Sequence, residues 1–244
     1  MTGSERPSTG LYFKQTHSLL YSYLISLPLL FLYEALILIT QPDASYAVRI
    51  SVDIWIKTLF SYFSTDVLSI TLIFVALTGI FILYHERHNL PRIKFSYFIL
   101  MLLESAVYAF FLALIISAAV SGILQMVQAT SMETLTTLQQ LALSLGAGLY
   151  EELFFRVILV SLLLFLFKFF IRKQWIAFAS AMIVAALIFS FVHYIGTLGD
   201  TFSMNSFLFR FLFGLALNGI YLWRGFGLAA WTHAIYDLMV IAVL

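Results

Sequence analysis

Six ionisable side chains lie in strongly hydrophobic stretches of the C-terminal half of the chain, and their types could activate a water molecule. An ionisable group at bilayer depth needs a partner or a function, because apolar surroundings penalise its charge. Carboxylates and imidazoles acting together can take a proton from water and can stabilise an oxyanion. The six residues are Glu151, Glu152, Arg156, His193, His233 and Asp237.

The first three of these residues are predicted to lie on one tightly packed helix. Glu152 and Arg156 are four residues apart, so they share a helix face and can form an ion pair. Glu151 points about 100° away from that face, and its carboxyl group must be neutral or be held by another helix. The small residues at 146–148 allow a second helix to approach closely. We therefore expect a packed site around Glu151.

The two histidines are predicted to come from two further helices. His233 and Asp237 are one helical turn apart, so the acid can orient or protonate the imidazole. His193 stands alone in its stretch, and a single histidine in an apolar helix is more often a packing residue. Together with Glu151, these residues supply a base, two imidazoles and an acid from three helices. That set can activate a water molecule and stabilise the resulting oxyanion.

The composition requires these helices to lie in a membrane. Of the 244 residues, 62% are hydrophobic and 10% are charged, and the mean hydropathy is +1.00. A soluble domain carries about 25% charged residues, so this chain cannot cover a water-facing surface. The net charge of +1 provides no basic field to attract nucleic acid. The absence of cysteine excludes disulfides, iron–sulfur clusters, thiolate zinc sites and a cysteine nucleophile.

The hydrophobic runs predict an all-α polytopic membrane protein in which residues 1–244 form one integral membrane domain. A spanning helix needs about 20 mostly apolar residues. The mixed polar and aromatic residues near 46–63 predict an amphipathic helix that lies at the interface. Seven runs of roughly spanning length occur, at 19–39, 67–84, 95–127, 138–170, 175–195, 206–223 and 226–244.

Basic residues in the predicted loops indicate the orientation. With a cytoplasmic N-terminus, nine Lys and Arg residues lie on the cytoplasmic side, and only Arg49 and Lys57 lie on the other. Cytoplasmic loops carry such an excess, so we predict that the N-terminus is cytoplasmic. The same bias and the lack of organellar signals favour a prokaryotic inner membrane. We expect the site to be a cavity near mid-membrane that opens outward.

Three short motifs resemble the signature of the CPBP intramembrane glutamic endopeptidases, the family of CAAX proteases and bacteriocin-processing (Abi) proteins. The family includes the type II CAAX prenyl endopeptidases. The motifs are Glu151-Glu152-x-x-x-Arg156, Phe189-x-x-x-His193 and His233-x-x-x-Asp237, in that order within residues 140–244.

The resemblance implies a glutamate-dependent peptidase with the bilayer around it and a membrane-anchored protein or precursor peptide as its substrate. In the family's pattern Glu151 and His193 activate the attacking water, and His233 and Asp237 bind the oxyanion. Glu152 and Arg156 have supporting roles. The chain departs from the family at Asp237, where asparagine is commonest. Since an ionised carboxylate cannot donate a hydrogen bond, Asp237 is either protonated or orients His233.

Three alternatives remain open from the residues. Glu151, His193 and His233 could instead bind Zn²⁺ with a fourth position for water, although no His-Glu-x-x-His helix is present. We expect no cofactor. A transporter would also bury acids and histidines, but it predicts broken helices and repeated halves, which the sequence lacks. A non-catalytic scaffold or immunity protein would not need the base, imidazoles and acid together.

Two further acids, Glu34 and Glu104, lie inside predicted spans without a place in the motifs. We interpret them as interhelical polar clamps rather than catalytic groups. Arg210 could neutralise one of them, with Asn218 adding a hydrogen bond.

Overall fold

The computed structural model describes residues 9–40, 50, 52–55, 58, 67–119, 135–195 and 199–243, and in these residues all regular structure is helical. The short 3₁₀ helix Arg87–Arg92 precedes α4. The chain is therefore an all-α protein, as predicted. Its α-helices are α1 (Thr9–Thr16), α2 (Leu19–Thr40), α3 (Val67–His85), α4 (Phe95–Ala119), α5 (Thr137–Phe170), α6 (Gln174–Val192), α7 (Met204–Arg224) and α8 (Phe226–Val243).

Five of these helices, α2, α4, α5, α6 and α7, are long and apolar enough to cross a membrane. The apolar parts of α3 and α8, Thr71–His85 and Phe226–Ala242, are shorter. The seven helices coincide in position with the seven predicted spans. The chain is an integral, multi-pass membrane protein.

The predicted interfacial helix at 46–63 lies mostly outside the described residues, as do Arg49 and Lys57. Of that segment, residues 52–55 form a helical turn. Val52 and Asp53 are buried, and the Tyr33 hydroxyl of α2 donates a 2.8 Å hydrogen bond to Asp53. The described turn therefore packs into the protein.

Helix α8 occupies the centre of the bundle and contacts α2, α4, α5 and α7. Small residues make this possible, since Ala230 and Ala234 are fully buried. A Cβ added at Gly148 would lie 2.5 Å from the carbonyl oxygen of Ala230 and 2.6 Å from the Cβ of Ala234. The predicted close approach at the small residues is therefore a contact between α5 and α8.

Helix α5 changes its winding where the first motif lies. It is α-helical over Thr137–Gly146, π-helical over Ala147–Glu151 and Leu153–Val160, and α-helical again over Ser161–Phe170. The π-helix is rare, but where it does occur it is frequently at a functional site. Its wider turn shifts side chains out of the ordinary α-helical register. Nothing in the sequence predicted this widening.

Candidate active site

Three helices bring the six predicted residues together. The π-helical part of α5 carries Glu151, Glu152 and Arg156. His193 directly follows the last residue of α6, and α8 carries His233 and Asp237. The contacts below join all three helices, so the residues form one site.

The deepest part of the site is a buried cluster around Glu152. The Arg156 guanidinium lies 2.8 Å from Glu152 Oε1, and both side chains are fully buried, which confirms the predicted ion pair. The same oxygen lies 2.7 Å from Nδ1 of His233, whose side chain is 5% exposed. An ionised carboxylate only accepts, so Nδ1 donates to it. Glu152 therefore fixes the orientation of His233.

The contact between Glu152 and His233 bears on the two roles considered for Asp237. Asp237 Oδ2 lies 3.6 Å from His233 Nε2, which is too long for a hydrogen bond. The imidazole is thus oriented through its other nitrogen by Glu152. Asp237 is 29% exposed and stands beside the free nitrogen.

His193 faces Glu151 with a nitrogen that can accept a hydrogen bond. Its Nδ1 lies 2.7 Å from the carbonyl oxygen of Phe189, and because a carbonyl only accepts, Nδ1 carries a proton. In the neutral ring Nε2 is then unprotonated. This atom lies 4.0 Å from Glu151 Oε2. A water molecule between the two acceptors could donate one proton to each.

The site has a dry side and an open side. Glu152 and Arg156 are fully buried, whereas the side chains of Glu151 and His193 are 13% and 26% exposed. Phe189 separates the layers, since its ring stacks edge-on against His193 at 4.9 Å and receives the Arg156 guanidinium at 4.5 Å. Glu151 and His193 therefore face accessible space on one side, and on the other side they are backed by an apolar region of low dielectric constant.

Sequence reasoning missed Phe213 of α7, whose ring lies 5.1 Å from that of His233. It is one of 25 phenylalanines, and no motif distinguishes it from the others. Its contact adds a fourth helix to the wall of the site.

The described residues contain no group of three or more His, Asp or Glu side chains placed to hold a metal ion. The alternative ligand set Glu151, His193 and His233 is brought together, but not as such a cluster. Both histidines use Nδ1 for protein contacts and would have only Nε2 to offer a metal.

Glu104 and Glu34 are interhelical clamps, but the predicted partner was wrong. The Arg224 Nε donates to Glu104 Oε1 over 2.6 Å, whereas Arg210 pairs with Asp200. Asn218 donates to the carbonyl of Met182. The Tyr150 hydroxyl donates to Glu34 Oε1 over 3.2 Å.

Comparison with protein-family models gives a match. Residues 133–239 match the family model described as "Type II CAAX prenyl endopeptidase Rce1-like", and that range includes all six site residues. The resemblance to the CPBP family is confirmed over this part of the chain. No curated protein and no solved structure matches the chain.

Proposed function

We propose that this chain, which is Rce1-like over residues 133–239 and whose family indicates a CAAX intramembrane protease, hydrolyses a peptide bond of a membrane-anchored protein or precursor peptide. The observation that carries the proposal is the 4.0 Å separation of Glu151 Oε2 from His193 Nε2. Two acceptors at that distance can hold one water between them and polarise it.

The proposed first step is attack by that water. Its oxygen forms a bond to the carbonyl carbon of the scissile peptide, and its proton moves to the carboxylate of Glu151. His193 accepts the second hydrogen bond of the water and keeps the water lone pair aimed at the substrate. The Phe189 carbonyl supports this role because it holds His193 in the tautomer with a free Nε2. The proton on Glu151 then passes to the leaving amine as the carbon–nitrogen bond breaks.

The negative oxygen of the tetrahedral intermediate is proposed to lie between His233 and Asp237. With Nδ1 held by Glu152, a protonated His233 directs its Nε2–H towards Asp237 and the open side of the site. A protonated Asp237 adds a second donor. Donors fixed in place before the reaction lower the barrier most, and removing one typically costs about 10²–10³ in rate.

We propose no metal for this chemistry, and we propose an anchored protein or precursor in a prokaryotic inner membrane as the substrate. Substrate trapping tests the proposal: membranes expressing Glu151→Gln should retain proteins that wild type cleaves, and mass spectrometry should find the matching new termini only with wild type. Identical retained proteins and identical termini with both forms would overturn it.

We also propose that the site opens to the side of the membrane opposite the N-terminus. Ile195 is 58% exposed and follows His193 by two residues. Since the chain has no cysteine, Ile195→Cys introduces a single thiol. It should react with an impermeant thiol reagent added outside intact cells. Labelling only after the inner face is exposed would reverse the orientation.

A further inference from the structure

A cavity of about 460 Å³ lies between α1 and the end of α7, away from the proposed active site. Helix α7 has 21 residues and is therefore about 30 Å long. His193 precedes the N-terminal end of α7 in the sequence. The cavity lies at the C-terminal end of the same helix. The cavity is lined by Phe13, Lys14, His17, Trp223 and Arg224.

The floor of the cavity is Arg224, which an ion pair and hydrogen bonds hold in place. Arg224 is 1% exposed and donates to Glu104 from both Nε and Nη2, over 2.6 and 2.8 Å. It also donates to Thr16 Oγ1 over 2.9 Å, which ties α1 to the end of α7. Behind the floor, the Tyr12 hydroxyl donates to Glu104 over 2.6 Å. Burial raises the pKa of Tyr12, so its hydroxyl stays a donor.

The walls of the cavity are aromatic and its rim is cationic. The rings of Phe13 and Trp223 stack with centroids 6.1 Å apart. Lys14 and His17 are exposed. Because Glu104 balances the charge of Arg224, the ammonium group of Lys14 gives the cavity a net positive charge. His17 adds a ring nitrogen that can donate.

The cavity lies where the helices meet the membrane interface. Trp223 is 62% exposed near the end of a spanning helix, and tryptophan is enriched at that depth. The basic segment around Arg87–Arg92 lies at the same end, because Glu86 accepts from the Leu19 amide over 2.9 Å. The Lys94 amide likewise donates to the Tyr21 hydroxyl over 2.8 Å. An anionic lipid surface would meet this end of the protein.

We infer that this cavity binds the phosphate-bearing headgroup of an anionic phospholipid of the surrounding bilayer. Its volume is within the range of ligand pockets, about 300–1,000 Å³. Lys14 supplies a point charge for phosphate, the stacked rings offer an apolar wall to the glycerol and upper acyl chain, and the Arg224–Glu104 pair keeps the floor rigid. Basic pockets at the ends of spanning helices bind such headgroups.

Native mass spectrometry of the detergent-purified full chain tests this inference, with phosphatidylglycerol or phosphatidylcholine added. Wild type should retain phosphatidylglycerol in preference to phosphatidylcholine. Lys14→Gln should lower the retained phosphatidylglycerol about fivefold, the factor contributed by one basic residue near an anionic surface. Lys14 is exposed, so the variant should elute as wild type does in size exclusion. Lys173→Gln is the matched control, since it removes an exposed charge outside the cavity.

The other results overturn the inference. An equal loss for Lys14→Gln and Lys173→Gln would mean that lipid is attracted by the surface as a whole. Equal retention of the two lipids by wild type would mean that the cavity does not distinguish lipids by the charge of the headgroup. Displacement of the lipid by millimolar inorganic phosphate would make a soluble phosphate compound the occupant.

Discussion

Two glutamate–arginine pairs, the largely buried Glu104–Arg224 and the fully buried Glu152–Arg156, differ in how completely their hydrogen-bonding groups are used. Around Glu104, both carboxylate oxygens accept from Arg224 and each also accepts from a tyrosine. Around Glu152, the second oxygen Oε2 and all three guanidinium nitrogens of Arg156 have no hydrogen-bond partner among the described residues, although Nη1 lies 2.8 Å from Oε1 as an ion pair. The first pair is saturated and the second is not.

The difference indicates what each pair is for. A buried polar group without a partner costs about 1–3 kcal/mol, so a purely structural pair is expected to be saturated. Unsatisfied groups are tolerated where a reaction or a bound water uses them. Glu152 accepts a well-formed hydrogen bond from His233, a residue of the proposed oxyanion site. We infer that Glu104–Arg224 serves the fold and that Glu152–Arg156 serves the site.

The substitution Glu152→Gln is expected to give the largest effect that separates the two pairs, a loss of cleavage rate. The amide carries no charge to favour the protonated imidazole of His233, so the oxyanion loses its donor. Replacing the carboxylate that orients a catalytic histidine costs about 10⁴ in serine proteases, and we expect at least a hundredfold loss of kcat here. The measurement is the cleavage rate per folded molecule in proteoliposomes. A rate within threefold of wild type would mean that Glu152 is only structural.

Glu104→Gln is the matched change in the other pair, and its expected effect is on stability alone. Breaking one partner of a buried ion pair costs about 3–5 kcal/mol, because Arg224 stays buried with its charge unbalanced. Thermal unfolding should occur at a lower temperature, while the cleavage rate per folded molecule stays unchanged. A fall in that rate as large as the one for Glu152→Gln would erase the distinction between the pairs.

The parts of this molecule that the sequence predicted are local in the chain. Runs of about 20 apolar residues predict spanning helices, and the four-residue spacing of Glu152 and Arg156 predicted their ion pair. The motif order also predicted which residues meet, because the resemblance supplied a spacing pattern beyond one helix.

The individual hydrogen bonds and ion pairs between distant helices could not be predicted. Glu152 meets His233 across 81 positions, and Glu104 meets Arg224 across 120. Several basic residues in the sequence could have paired with Glu104. Arg210 was the wrong choice, because its position on α7 brings it to Asp200, with which it forms an ion pair. The choice depends on helix rotation and depth, which apolar periodicity leaves undetermined.

A smaller effect is expected for Asp237→Asn. Since Glu152 already orients His233, Asp237 is free to donate to the oxyanion, and asparagine is a permanent donor. Activity should stay within about tenfold of wild type, and the ratio of variant to wild type should rise with pH as Asp237 loses its proton. The measurement is kcat as a function of pH, from about pH 5 to about pH 9. A hundredfold drop with normal insertion would assign Asp237 an essential anionic role.

The smallest expected effect is that of chelators. If Glu151 activates water directly, dialysis of the purified protein against a strong chelator should leave the cleavage rate unchanged. Elemental analysis should find no stoichiometric zinc. Loss of activity that added Zn²⁺ restores would make Glu151, His193 and His233 metal ligands instead.

The central claim is that Glu151 is the base for water attack, and cleavage by Glu151→Gln tests it most directly. Wild type, Glu151→Gln and the structural control Glu104→Gln are reconstituted at equal folded concentration with a membrane-anchored peptide. General-base catalysis contributes about 10²–10⁴ in rate. We predict that Glu151→Gln loses at least a thousandfold with normal thermal unfolding, while Glu104→Gln cleaves at the wild-type rate. Cleavage by folded Glu151→Gln within tenfold of wild type would contradict the account.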